Sequence, residues 1–206
     1  MTVANGKVRR LSLLALCIGA IAVTAQEQNR PPNAKGTSDV RPLLERMAGT
    51  WNVTQRMWSG PSAGPTDLPA AVAQRRVLGG TILEEEMELA PGAKGDAFTR
   101  IAYFDYNAVN RQYEYFSIDT RAPQMMHESS CEIPRDNQMN NGPISLCGGM
   151  FVAPTWGSAK NAAFRYRLMV DQVSENQQAV RLYLTPVSSE MADEFLAFEY
   201  MYTRRP

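Results

Sequence analysis

Hydrophobic and polar residues alternate along most of the chain from Thr50 to the C-terminus. Successive side chains of a β-strand point to opposite faces of the sheet, so this alternation is typical of strands with one buried and one solvated face. Clusters of Gly, Pro, Asn and Asp separate the alternating segments, as at turns between antiparallel strands. The predicted strands span residues 50–58, 71–79, 81–90, 97–106, 111–119, 124–133, 145–153, 163–173, 178–186 and 195–204.

The connections between these segments indicate how the strands are arranged. None of them carries a long helical pattern, which argues against a parallel sheet built from strand–helix–strand units. A meander of this many strands leaves two exposed edges unless the sheet closes on itself. We therefore predict an all-β fold, a closed antiparallel barrel of about eight to ten strands. A barrel of this size has room for a ligand unless large side chains fill it.

A short helix is predicted immediately before the first strand, over residues 39–47. Asp39 can cap its first turn, Pro42 is tolerated in that turn, and Gly49 follows its end. Its apolar residues recur on one face, so we expect the helix to pack against the barrel.

The first 25 residues have the pattern of a signal peptide: a basic start, an apolar run over 11–23 and a small-residue exit ending at Ala25. The apolar run would span about 20 Å as a helix, short of the roughly 30 Å that a permanent transmembrane helix crosses. Cys17 suggests a lipid anchor as an alternative, but Leu16 stands where a small residue is needed. We expect cleavage near Ala25 and a secreted or periplasmic protein without an integral membrane segment.

The mature chain divides into a linker over residues 26–39, rich in Pro, Gly and polar residues, and one barrel domain over residues 40–206. It keeps two cysteines, Cys131 and Cys147, in a compartment where cysteine pairs are normally oxidised. We expect them to form a disulfide that stabilises the domain by about 3 kcal/mol. A redox-active pair is disfavoured because the spacing is not Cys-x-x-Cys.

The net charge of the chain argues against some classes of binding partner but does not identify one. The whole chain has 21 basic and 21 acidic residues, and loss of the basic signal leaves a slight negative excess. Neither nucleic acid nor an anionic membrane surface is favoured as a partner. A monomer and a homodimer both stay open.

Several short segments carry a resemblance to known proteins. The Gly-x-Trp at 49–51 resembles the start of lipocalin-like, or calycin, barrels. Five segments, taken in their order along the chain, resemble a family of bacterial proteins catalogued only as a domain of unknown function, over about residues 40–205. The five segments are 48–51, 79–85, 102–106, 117–120 and 202–205. The resemblance implies a calycin barrel whose entrance Trp51 is covered by a basic residue of the last strand, Arg204 or Arg205.

Glu85 is the strongest candidate for an inward charge. Alternation puts Glu84, Glu86 and Glu88 on one face and Glu85 with apolar neighbours on the other. An inward carboxylate must meet a cation or hold a proton. Its candidate partners on nearby strands are Arg56, Arg75, Arg76 and Arg100. A structural ion pair is favoured, and a general acid or base stays open.

The barrel interior is the candidate ligand site. Tyr is frequent in the strands, and an inward hydroxyl needs a partner, which suits a cavity that holds water or a polar head group. The residues predicted to line the site are Trp51, Arg76, Glu85, Tyr103, Tyr115 and Tyr166. Trp51, Arg204, Cys131 and Cys147 are predicted to be structural.

Other chemistry finds little support in the sequence. His127 is the single histidine, so a zinc site is not predicted, and haem is disfavoured. No Gly-x-Ser-x-Gly segment or phosphate-binding loop is present, and Gly79-Gly80 and Gly148-Gly149 look like turns or bulges. No cofactor is indicated, and whether the protein is an enzyme stays open.

We therefore expect an exported barrel that binds a small apolar or amphipathic molecule. This hypothesis requires an interior cavity of about 300 Å³ or more. The alternatives are an enzyme that uses an inward carboxylate and an arginine, and an envelope-associated module that binds proteins through its outer face and long loops.

Overall fold

The alternating segments form a closed antiparallel barrel in the computed structural model, which describes residues 39–134, 142–156, 159–187 and 193–206. Each strand pairs with the next, and the last pairs with the first. The predicted fold class is confirmed. The strands are β1 (Gly49–Met57), β2 (Thr66–Leu78), β3 (Ile82–Leu89), β4 (Thr99–Asn107), β5 (Gln112–Asp119), β6 (Ala122–Ser130), β7 (Ile144–Trp156), β8 (Ala159–Ser174), β9 (Gln177–Pro186) and β10 (Phe195–Arg204).

Three strands are longer than the sequence predicts, because they continue through prolines and other residues that are typical of turns. β2 begins before Pro69, and the register of β1 against β2 shifts between Val53 and Gln55. A proline is tolerated at such an irregularity because the ladder is already interrupted there. β7 and β8 likewise continue beyond the predicted ends, to the pair Trp156 and Ala159.

The helix α1 (Arg41–Met47) covers one end of the barrel, called here the α1 end. The helix begins two residues later than predicted, with Val40 at the N-cap position and no side-chain cap. The Asp39 carboxylate instead accepts a hydrogen bond from the Arg41 backbone N–H at 3.0 Å, just before the helix. The apolar face of α1 is buried against the barrel interior through Leu43, Leu44 and Met47.

The core has two parts. Most buried side chains, including those of α1, form one cluster that fills the α1 end. A second cluster lies towards the opposite end, called the far end, where β7 ends and β10 begins. This aromatic cluster consists of Ala153, Phe164, Tyr166, Leu184, Phe195 and Ala197, with Met126, Trp156, Ala162, Leu182 and Phe198 packed against it.

The predicted signal peptide over 1–25 and nearly all of the predicted linker over 26–39 lie outside the described residues. Among the residues that are described, no helix has the length and apolar character needed to span a membrane.

Candidate functional site

Glu85 lies inside the barrel, where two arginines hold it. Its side chain is 3% exposed, and the Arg75 guanidinium donates to the carboxylate at 2.7 Å through Nε. Arg100, on β4, donates to the other carboxylate oxygen and to the Tyr115 hydroxyl. Two of the four candidate arginines therefore meet Glu85. The other two, Arg56 and Arg76, pair with glutamates elsewhere on the barrel.

This arrangement keeps the Glu85 carboxylate ionised. Burial acts to raise the pKa of Glu85, but the charges and hydrogen bonds of Arg75 and Arg100 outweigh it, so the pKa lies below its ordinary value. Burial also raises the pKa of Tyr115 to about 12, which keeps its hydroxyl neutral. A carboxylate held in this way accepts no proton near neutral pH, so the geometry favours the ion pair over a general acid or base.

The same network reaches the helix. Arg75 donates to the Gln178 side chain, and the Gln178 amide donates to the backbone carbonyl of Arg46 at 3.2 Å. The Arg75 guanidinium also lies over the Tyr202 ring, 3.8 Å from its centroid. The charged groups therefore connect β2, β9, β10 and α1 as one structural unit.

The α1 end of the interior is filled. One cavity beside Arg75 and Glu85 and another beneath α1, lined by Leu43 and Met47, each measure about 10 Å³. That is the room of about one water molecule, far below the 300 Å³ or so that a preformed small-molecule site needs. The expectation of a ligand-sized interior is therefore wrong for this half of the barrel, because the ion-pair network and α1 occupy it.

Two predicted lining residues lie on the outer face instead. Arg76 is exposed and donates to Glu84, and the Tyr103 hydroxyl donates to the same carboxylate at 3.3 Å. Alternation explains the correction. The inward position next to Arg76 belongs to Arg75, and the inward positions on either side of Tyr103 belong to Ala102 and Phe104. Arg76 and Tyr103 therefore do not line the interior.

Trp51 is fully buried beneath the last strand, in the contact that the resemblance implies. The Arg204 guanidinium lies 4.2 Å from the centroid of the Trp51 ring and donates to the carbonyls of Ala48 at 2.8 Å and Arg46 at 2.6 Å. Gly49 has φ of +125°, and a Cβ there would lie 2.5 Å from Arg204 Nη1. This contact closes the α1 end, which is a structural role for Trp51 and Arg204.

The barrel wall is weakest between β6 and β7. Among the described residues, the register pairs these strands only through Ser129 with Cys147 and Ser130 with Leu146, both towards the α1 end. The other neighbouring strands pair along most of their lengths. β6 and β7 therefore have no register pairs towards the far end within the described residues, and this unpaired stretch of the wall is called here the β6–β7 opening.

The predicted disulfide lies at the narrow end of this opening. Cys131 and Cys147 are bonded, with Cα atoms 4.8 Å apart, and Cys147 belongs to one of the two register pairs. The disulfide therefore fixes the two strands together just where their pairing stops.

Tyr166 fills the opening from β8. Gly148 and Gly149 form a bulge opposite it, because the register of β7 against β8 passes from Cys147 directly to Met150. Burial and the nearby Glu128 raise the pKa of Tyr166, whereas backbone hydrogen bonds from Gly149 and His127 act in the opposite direction. Since Gly149 is on β7 and His127 on β6, the Tyr166 hydroxyl lies near backbone groups of both strands.

Glu128 lies behind Tyr166, and sequence reasoning did not single it out. It pairs in register with the buried Tyr115 and is 1% exposed, so its side chain points inward. Neither carboxylate oxygen has a hydrogen bond of good geometry within the described part of the chain. Burial raises the pKa of Glu128 from 4.5 to about 7, although Arg100 and the Tyr166 hydroxyl act to lower it.

A weak signal for Glu128 was present in the sequence. His127 and Glu128 are neighbours, and alternation puts them on opposite faces, so one of them had to point inward. The structure leaves His127 exposed on the outer face. Of the predicted lining residues, Glu85, Tyr115 and Tyr166 therefore lie around the interior, and the last two flank Glu128.

Fold and site together define the class: a closed antiparallel barrel that holds charged side chains inside and has few register pairs between β6 and β7. The chain belongs to the family described as protein of unknown function (DUF1579), which it matches over residues 37–204.

Solved structures resemble the chain at low identity. Rv2717c from M. tuberculosis is 12% identical, with 81% of this chain and 98% of that chain covered and a TM-score of 0.49. The S-type phycobiliprotein lyase CPES from Guillardia theta is 9% identical, with 82% and 93% covered and a TM-score of 0.46. No curated protein matches the chain.

Proposed function

We propose that the protein binds a small amphipathic molecule at the β6–β7 opening, with the head group at Glu128 and the apolar part against the aromatic cluster. The observation that carries this proposal is the buried Glu128 carboxylate, neither oxygen of which has a hydrogen bond of good geometry within the described residues. A buried carboxylate left in this state destabilises the protein, so its presence indicates a role other than stability.

The surroundings of Glu128 fit an amphipathic ligand. On the far-end side, the apolar residues Met126, Phe164 and Trp156 belong to the aromatic cluster or pack against it. On the α1 side, the polar groups of the ion-pair network around Glu85 border the proposed ligand site. A ligand placed between them has an apolar wall for its chain and a carboxylate for its head group. Because Tyr166 fills the opening, binding requires that side chain to move.

Native mass spectrometry tests this proposal with the full chain, expressed in a host that exports it. The wild-type protein is compared with Ala153→Trp, which fills the aromatic cluster, and with Val152→Trp, the matched control on the exposed outer face. A mass excess over the denatured protein in the wild type and Val152→Trp, but not in Ala153→Trp, supports the proposal. Equal retention by all three proteins places the ligand elsewhere.

Export is part of the same proposal. We propose that residues 1–25 are removed on secretion, which would deliver the cysteines to an oxidising compartment. N-terminal sequencing of the exported protein is expected to begin at Gln26. A mature protein that retains residues 1–25 would contradict this part of the proposal.

A further inference from the structure

We propose, resting on the proposed function, that Tyr166 is a movable side chain that closes the β6–β7 opening, and that Glu128 behind it selects amphiphiles whose head group donates hydrogen bonds and carries no negative charge.

The closed position of Tyr166 depends on the absence of a side chain at one glycine. A Cβ built on Gly148 would lie 1.9 Å from Cε2 of the Tyr166 ring, so the ring packs directly on the β7 backbone. A Cβ on the adjacent Gly149 would meet no atom within 4 Å. The two neighbouring glycines therefore separate the effect of displacing Tyr166 from the effect of adding a methyl group to the bulge.

The contacts of Tyr166 also allow it to move. Its hydroxyl lies near the Glu128 carboxylate and near backbone groups of Gly149 and His127, one on each of the two strands. Neither backbone group belongs to a β6–β7 register pair, so both can bind water when the ring swings away. Opening therefore disturbs no strand pairing between β6 and β7.

The expected preference for particular head groups follows from which hydrogen bonds Arg100 and Glu128 already make. Arg100, the cation that acts on Glu128, donates to Glu85 through one nitrogen and to Tyr115 through another. Neither Glu128 oxygen has a hydrogen bond of good geometry among the described residues, and the nearby Tyr166 hydroxyl moves away on opening. A head group that donates hydrogen bonds, such as an amine or an alcohol, satisfies them, whereas a carboxylate head would place two negative charges together.

The test uses three probes with the same eight-carbon chain: octylamine, octanol and octanoate, titrated at pH 8 into the full exported protein. Dissociation constants come from isothermal titration calorimetry and association rates from tryptophan fluorescence in stopped flow. The wild type is expected to bind octylamine and octanol at least about tenfold more tightly than octanoate, and Glu128→Gln is expected to lose most of this preference.

The same experiment tests the moving side chain. Gly148→Ala is expected to raise the association rate of octylamine several-fold, and Gly149→Ala is expected to leave it unchanged. Because Gly148→Ala can disturb the bulge, Tyr166→Ala provides a second variant that opens the wall by removing volume, with the same expected increase. Circular dichroism checks that each variant is folded.

The outcomes distinguish this inference from the function on which it rests. Octanoate binding as tight as octanol, or a preference unchanged in Glu128→Gln, overturns the selectivity while small-molecule binding stands. Association rates in Gly148→Ala and Tyr166→Ala equal to the wild type overturn the role of Tyr166. If no probe binds the wild type or the opened variants, the proposed function fails together with the inference.

Discussion

Replacing Glu128 with Gln is expected to stabilise the protein in alkaline solution, because the fold holds this carboxylate where its charge is unfavourable. Its pKa is raised from 4.5 to about 7 in the folded protein, with burial as the largest cause. A folded state that binds the proton more tightly than the unfolded state loses stability as pH rises through the window between these two values. Below about pH 4.5 the carboxyl is neutral in both states and has no such cost.

The magnitude follows from the size of the shift. At about 1.4 kcal/mol per pKa unit, the ionised Glu128 costs the folded state about 3 kcal/mol at pH 8 and less than about 1 kcal/mol at pH 5. Any cost of burying the Gln amide is independent of pH. The advantage of Glu128→Gln over the wild type should therefore be about 2–3 kcal/mol larger at pH 8 than at pH 5.

Urea unfolding of both proteins at the two pH values measures this difference, with the disulfide kept intact. Thermal unfolding should show a corresponding change of roughly 4–12 °C for a domain of this size. Glu86→Gln is the control, since Glu86 is exposed on the neighbouring outward position of β3. A Glu128→Gln effect that is the same at pH 5 and pH 8 would refute the reasoning, because it would mean that the carboxylate is well satisfied in the folded protein.

Three further substitutions test the structural parts of the site. Glu85→Gln should destabilise the protein by about 3–5 kcal/mol in urea unfolding at pH 7, because it leaves two buried guanidinium groups with weaker partners. Replacing Cys131 and Cys147 with Ser should cost about 3 kcal/mol, and hydrogen exchange should quicken first in β6 and β7. Arg204→Ala should cost roughly 2–4 kcal/mol and lower the melting temperature, because Trp51 loses its cation–π contact and α1 loses two hydrogen bonds at its end. Unchanged unfolding in any of these would contradict the corresponding contact.

The strands could be predicted from the sequence because a strand with one buried and one solvated face has alternating apolar and polar residues. The alternation in β3 and β4 identified both elements to within two residues, and it also identified Glu85 as the acidic residue on the apolar face. Local pattern could not fix which of two neighbouring arginines faces the interior, since Arg75 and Arg76 are adjacent and chemically identical. The barrel register decides that question, and register depends on pairing between distant residues.

The β6–β7 opening could not be predicted for a related reason. Apolar and polar residues alternate well enough in β6 and β7 for both to be recognised as strands. This alternation does not indicate whether a strand is paired with neighbours on both sides. The two glycines of the bulge were visible in the sequence, but their partner Tyr166 lies on β8 and its packing on Gly148 needs three dimensions. The sequence therefore predicts a ligand-sized interior, whereas in the structure the α1 end is filled and β6 and β7 have few register pairs.

A comparison of two of the buried glutamates, Glu85 and Glu128, shows why the opening matters more than the core. Glu85 is held by two guanidinium groups and has a lowered pKa, so its burial is compensated within the protein. Glu128 is buried to a similar extent, yet neither of its oxygens has a hydrogen bond of good geometry in the described part of the chain, and its pKa is raised. The fold satisfies the Glu85 carboxylate with its own arginines, whereas no hydrogen bond of good geometry reaches Glu128 among the described residues, which is why we propose that Glu128 binds a partner from outside the chain.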